Sequence, residues 1–252
     1  MINQRGEEII KLLSEKSPMS IEELAVQLAV SEVTVRRVLS ELEDEGLVIR
    51  EWGKAALPGL GIEPMYNQRQ KVNTELKKQI ARHAAKQIRD GEVIALDVGT
   101  TNAELAKELM KRTNITIFTS SFQVASILSR SQLNVYMIGG FLRKSEMSMV
   151  GSIATEAIMK FNFDRFYLGL AGLSKEEGPT DFNLEDVDVK RAFIRRSKKV
   201  TALVDKSKIG HSALVQVCEL NEIDEIITNK EIDREAKLNT QEWGYAGKLT
   251  LV

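Results

Sequence analysis

The chain has 252 residues, with 35 Lys/Arg against 36 Asp/Glu, a formal net charge of −1, 43% hydrophobic residues and a single cysteine, Cys218. That length and apolar content predict two domains with sizeable cores. One cysteine excludes an intrachain disulfide and reads as a small buried apolar residue, and the lack of any uninterrupted apolar run of 18 residues excludes a membrane-spanning helix. No apolar signal run opens the chain, so the cytoplasm is the expected compartment.

The first helix is predicted around Ile9, Ile10, Leu12 and Leu13. Ser20-Ile21-Glu22-Glu23 matches a capping box and opens a second helix with Leu24, Ala25 and Leu28 inward, and Ala29-Val30 makes a short turn. A third helix follows, with Ser31 at its N-cap and Val35, Val38, Leu39 and Leu42 at i, i+3, i+4 and i+7 as one apolar stripe. Val33, Arg37 and Ser40 project away from that stripe with Arg36 beside them, which sets two guanidiniums near the helix start, where helix-turn-helix proteins touch base edges. After Gly46 as C-cap, Leu47 to Trp52 has strand character and Gly53-Lys54 supplies a turn, so a wing is expected. Residues 1–57 carry seven Lys/Arg and eleven Asp/Glu, hence 7 − 11 = −4. A DNA-binding reading therefore rests on a local patch of Arg36, Arg37, Arg50 and Lys54 and not on net charge. The alternative is a winged helix used for protein contacts.

Glycines and prolines without sustained periodicity mark 58–70 as a linker, which leaves 71–252 as a second domain. A long helix is predicted from about Arg69 to Asp90 on Leu76, Ile80, Ala84, Ala85 and Ile88. The apolar runs Val93–Leu96, Ile115–Phe118, Val135–Ile138, Phe166–Leu170, Val200–Val204 and Ile226–Ile227 then alternate with helical patterns around 102–112, 121–130, 150–160 and 185–197. This is the βαβ pattern of a parallel sheet with helices on both faces. Such sheets bind ligands outside the carboxyl ends of their strands, so four loops form the candidate pocket. They are Asp97-Val98-Gly99-Thr100-Thr101-Asn102, Gly139-Gly140, Gly169-Leu170-Ala171-Gly172 and Asp205-Lys206-Ser207-Lys208. The first precedes a helix whose free N–H groups favour an anion such as phosphate, and a plain capped turn explains it as well. Lysines and amide donors suit an anionic, hydroxylated ligand. Neither histidine, His83 or His211, sits in a triad or metal spacing, and no metal or cofactor is expected.

With these residues in view the chain resembles the DeoR family of transcriptional regulators over nearly its whole length. The winged-helix likeness lies in Arg5, Ser20 to Ala25 and Val30 to Arg37; the sensor likeness lies in Asp97 to Thr101, Gly139-Gly140, Gly151, Phe166 to Gly172 and Asp205 to Gly210. The resemblance implies an N-terminal winged helix-turn-helix followed by a ribose-5-phosphate-isomerase-like α/β sensor domain. It implies a homodimeric or homotetrameric repressor of sugar-metabolism genes, with operator DNA and a phosphorylated sugar as partners. DNA contacts are then expected from Ser31, Val33, Thr34, Arg36, Arg37 and Lys54. Effector contacts are expected from Asp97, Gly99, Thr100, Thr101, Gly139, Gly140, Gly169, Gly172, Lys190, Asp205 and Lys208. Two departures stand out: Val38 replaces the family's usual Asp after the Arg pair, and Glu51-Trp52-Gly53-Lys54-Ala55 replaces its His-Gly-Gly-Ala wing. The alternative of a sugar-phosphate isomerase fused to a DNA-binding module would draw its carboxylate from Glu185, Asp186 or Asp188 and its cation from Lys208. Those acids read as the solvated face of a charged helix, and Gly169-Leu170-Ala171-Gly172 lacks the isomerase's carboxylate, so catalysis is not expected.

Overall fold

The structure is a computed structural model that describes residues 4–44, 47–51, 53–57, 63–230 and 242–252. The chain divides into two compact units, Met1–Asn73 and Thr74–Val252.

The first unit contains α1 (Gln4–Glu15), β1 (Met19–Ser20), α2 (Ile21–Gln27), α3 (Glu32–Asp44), β2 (Ile49–Glu51), β3 (Lys54–Ala56) and α4 (Tyr66–Lys71). The apolar stripes meet in one core of Ile9, Leu13, Leu24, Val35, Val38, Leu39, Leu42 and Val48. Val38 is buried there, on the core side of α3. The capping box forms at α2: Ser20 Oγ accepts from the Glu23 N–H at 3.0 Å and Glu23 Oε2 accepts from the Ser20 N–H at 2.7 Å. Ala29 takes a positive φ of 50° in the turn before α3. Ser31 caps α3, its Oγ accepting from the Thr34 N–H at 3.3 Å. The wing is a three-stranded antiparallel sheet in the order β1-β3-β2. Its first strand, β1, has no counterpart in the sequence reading. The Gly46 cap and the placement of Trp52 lie outside the described residues.

The long helix read over 69–90 is two helices, α4 and α5 (Thr74–Gln87), because Asn73 between them adopts a left-handed φ of 53°. The span read as a linker, 58–70, therefore carries α4 from Tyr66 onward.

The second unit continues with β4 (Val93–Leu96), α6 (Thr100–Leu109), β5 (Thr116–Thr119), α7 (Phe122–Leu128), β6 (Asn134–Met137), β7 (Phe141–Arg143), β8 (Ser148–Val150) and α8 (Ser152–Ile158). It is completed by β9 (Arg165–Gly169), β10 (Gly172–Ser174), β11 (Gly178–Asp181), α9 (Leu184–Arg196), β12 (Val200–Leu203), β13 (Val215–Gln216), β14 (Glu225–Thr228) and β15 (Lys248–Leu251). A seven-stranded parallel sheet runs β15-β14-β12-β9-β4-β5-β6. Alternate strand residues point to opposite faces. Ile94, Leu96, Tyr167 and Leu203 pack with α5, α6 and α7 residues such as Ile80, Leu105 and Val124. Ala95, Phe166, Leu168 and Ala202 pack on the other face with Ala154 of α8 and Val187 and Phe193 of α9. Strand order reverses at β4, whose neighbours are β5 on one side and β9 on the other. That reversal opens the crevice where sheets of this type take ligands.

Candidate functional site

At the carboxyl end of β4 the chain turns through Asp97-Val98-Gly99 into α6. Gly99 is the N-cap, with a φ of 105° that an L side chain rarely adopts; no side chain caps the helix, and a Cβ built there would meet nothing within 4 Å. The first turn of α6 thus starts with no side-chain cap, and its residues Thr100 and Thr101 are buried.

Asp97 itself is buried. Its Oδ2 accepts from Lys190 Nζ at 2.5 Å and from the Gly169 N–H at 2.9 Å, so one carboxylate oxygen ties β4 to β9 and α9. Lys190 also donates to Gly169 O at 3.1 Å and pairs with Asp181 at 3.2 Å, with its side chain only 2% exposed. Burial opposes the lysine's charge, but the Asp97 and Asp181 carboxylates outweigh it and raise the Lys190 pKa above its ordinary value. Burial pushes the Asp97 carboxyl up to about 6, with the Lys190 ammonium and the Gly169 amide acting against it. Four further buried polar atoms at the ends of β4 and β5 find no hydrogen-bond partner among the described residues: Asp97 Oδ1, both amide atoms of Asn102, and Ser120 Oγ. Buried polar atoms are seldom left so, and these four lie at the sheet's switch point.

Gly169 closes the other wall. A Cβ there would lie 2.8 Å from Val98 O and 3.5 Å from both Asn102 Nδ2 and Asp97 Oδ2, so only glycine lets the two strand ends approach this closely. The same charged network extends to Asp186, which is buried, accepts from Ser148 Oγ at 2.7 Å and pairs with Arg143. Asp205 is buried after β12 and accepts from Ser207 N–H at 3.1 Å and Ser207 Oγ at 2.5 Å. Burial opposes its charge, yet Lys208 and Lys77 hold its carboxyl below the ordinary range.

The expected effector residues thus fall into groups. Asp97, Gly169 and Lys190 are joined by hydrogen bonds, Gly99, Thr100 and Thr101 form the adjoining helix start, and Asp205 with Lys208 stands at the end of β12. Gly140 and Gly172 have packing reasons of their own: a Cβ would lie 2.6 Å from Val150 O at the first and 2.4 Å from His211 O at the second. Gly139 is exposed beside Gly140. Sequence reasoning missed Ser120, Asp181 and Lys77, and placed Asn102 in the first candidate loop without counting it among the effector contacts. The signal for Asn102 was legible, because it shares the inward stripe of Leu105, Ala106 and Leu109 at i, i+3, i+4 and i+7. The α9 acids also need correction. Glu185 and Asp188 face solvent as expected, but Asp186 and Lys190 point inward four residues apart.

On α3 the exposed basic residues are not equivalent. Arg36 pairs with Glu32 at 3.1 Å, and Arg50 from the wing donates to Ser40 Oγ at 2.8 Å and approaches Glu43 at 3.5 Å. Ser31 and Thr34 share a hydrogen bond at 3.0 Å. Arg37 and Lys54 are exposed and carry no ion pair among the described residues.

Comparison with known proteins follows the same division. Residues 5–59 match the DeoR-like helix-turn-helix domain and residues 72–230 match the DeoR C terminal sensor domain. The glycerol-3-phosphate regulon repressor of Escherichia coli (strain K12) is 33% identical over 227 residues, 90% of each chain. The HTH-type transcriptional repressor GlcR of Bacillus subtilis (strain 168) is 36% identical over 224 residues, 88% of this chain and 86% of that one. Among solved structures, ribose 5-phosphate isomerase a from Methanocaldococcus jannaschii overlaps 54% of each chain with a TM-score of 0.42 and 18% identity, a likeness too slight to argue from.

Proposed function

The chain belongs to the DeoR family and is a DNA-binding transcriptional regulator, and on that premise we propose that it is a cytoplasmic homo-oligomeric repressor of sugar-metabolism genes whose operator affinity is set by a phosphorylated sugar. One observation supports the sensor half above the others. Unsatisfied Asp97 Oδ1 and the Asn102 amide stand beside the uncapped start of α6, at the sheet's switch point. The phosphate sits on the N–H groups around Gly99, Thr100 and Thr101, where helix-end amides and the macrodipole favour an anion. Sugar hydroxyls take the orphaned carboxylate oxygen and amide, and Lys208 adds positive charge. Lys190 serves as a positioning residue, holding Asp97 ionised and aimed.

The DNA half uses α3 in the major groove. Arg37 reaches a base edge, Arg36 joins it once released from Glu32, Ser31 and Thr34 lie at the helix start against the backbone, and Lys54 on the wing contacts phosphate. An effector changes operator affinity only if it binds the free and DNA-bound forms unequally.

A thermal-shift screen tests the sensor reading, with glycerol 3-phosphate and a panel of sugar phosphates against their unphosphorylated counterparts. A ligand that binds the native state alone raises the melting temperature. The expected result is a shift with one phosphorylated compound that disappears in Thr100→Ala and Asn102→Ala. Equal shifts with the unphosphorylated partner, or shifts unchanged in both variants, would move the effector to another site.

A further inference from the structure

Val33 is an unusual residue at its position. It is the second residue of α3, is 76% exposed, and takes no part in the core to which Val35 and Val38 belong. A solitary exposed valine on an ordinary helix needs no explanation. Here its surroundings give one. On the outer face of the first turns of α3, Glu32 and Arg36 hold each other, Ser31 and Thr34 share a hydrogen bond, and Ser40 accepts from Arg50. Val33 and Arg37 remain uncommitted, and as i and i+4 they stand one above the other on the same face.

An apolar side chain presented to the major groove meets base edges that are polar with one exception, the 5-methyl group of thymine. We infer that Val33 reads a thymine methyl in each half-site while Arg37, one turn further along α3, reads a guanine within about two base pairs of it. The inference rests on the DNA-binding reading and adds the base identities and their spacing.

The test begins with duplexes selected from a randomised library by the purified full-length protein. Single thymines of the selected site are then replaced by deoxyuridine, which lacks only the methyl. One thymine per half-site should lose about three- to fivefold in affinity on replacement, the value of one buried methyl. In Val33→Ala the thymine and deoxyuridine duplexes should bind alike at that position, while Arg37→Ala should relax the preference for the neighbouring guanine. Deoxyuridine penalties that persist unchanged in Val33→Ala would overturn the inference and leave DNA binding intact. Failure to enrich any sequence, with Arg37→Ala retaining the same weak binding to the library, would overturn the reading of α3 itself and the inference with it.

Discussion

Lys190 is enclosed on all sides and keeps its charge because Asp97 and Asp181 surround it. Removing one member of such a group leaves the others buried and uncompensated. Lys190→Met should therefore lower stability by about 3–5 kcal/mol, read as a fall in melting temperature, and the double variant with Asp97→Asn should recover part of it. An unchanged melting temperature in Lys190→Met would show that the ion pair is not formed in solution. Cys218 carries the opposite lesson. Burial pushes its thiol up to about 12, so at pH 8 the native protein should resist a thiol-specific reagent that labels the unfolded chain within minutes. At the DNA face, Arg37→Ala should weaken binding to a selected operator by about 1–3 kcal/mol. Arg50→Ala should first be felt as reduced stability of the winged helix, because its guanidinium holds Ser40 and Glu43. Fluorescence anisotropy and thermal melts on the same variants separate the two effects.

The junction of β4, α6 and β9 depends on a single missing Cβ. Gly169→Ala would set a methyl 2.8 Å from Val98 O, and the strain of forcing two strand ends apart should cost about 1–3 kcal/mol and blunt any ligand-induced thermal shift. A variant that melts and binds like the parent would mean that the loops yield freely. Much of this architecture was legible in sequence because buried parallel strands are near-continuous apolar runs, as at Val93–Leu96 and, with Thr201 the one polar residue, Val200–Leu203. The strands β10, β11 and β13 escaped, since Gly172–Ser174, Gly178–Asp181 and Val215–Gln216 hold too few apolar residues to show a period. The break between α4 and α5 escaped because an asparagine, and not glycine or proline, supplies the left-handed residue. The inward side of α9 was misread for a related reason. Asp186, Lys190 and Phe193 follow the helical period, but charge on two of the three disguises the stripe. Long-range pairs such as Asp97 with Lys190, 93 residues apart, leave no local mark at all.

For the whole molecule, acid stability should turn on Glu225. Burial opposes its ionisation, but hydrogen bonds from Lys199, Gln87, Thr250 and Lys248 lower its carboxyl from 4.5 to about 2. A depressed folded-state pKa contributes stability above pH 4.5 that is lost as pH falls towards 2, here on the order of 3 kcal/mol. Glu225→Gln should melt earlier at pH 7 and show a flatter decline across that window; a parallel decline would assign the acid sensitivity to other carboxylates. Asp97 acts in the reverse sense, its raised pKa favouring the folded state more at pH 4 than above 6. If effector and operator are coupled, each must change the other's affinity by the same factor, which titrations in both orders would measure. Finally, Ser20 occupies two elements at once. It is the N-cap of α2 and also the strand partner of Lys54, and the next N–H, that of Ile21, donates to Gly53 O at the wing turn at 3.2 Å. The wing turn and the helices that carry α3 are thus joined through one stretch of backbone. On the proposed DNA face a duplex would meet a surface already in shape, with little conformational entropy left to lose on docking, so a loosened Ser20 should tax affinity without touching any of the proposed DNA contacts.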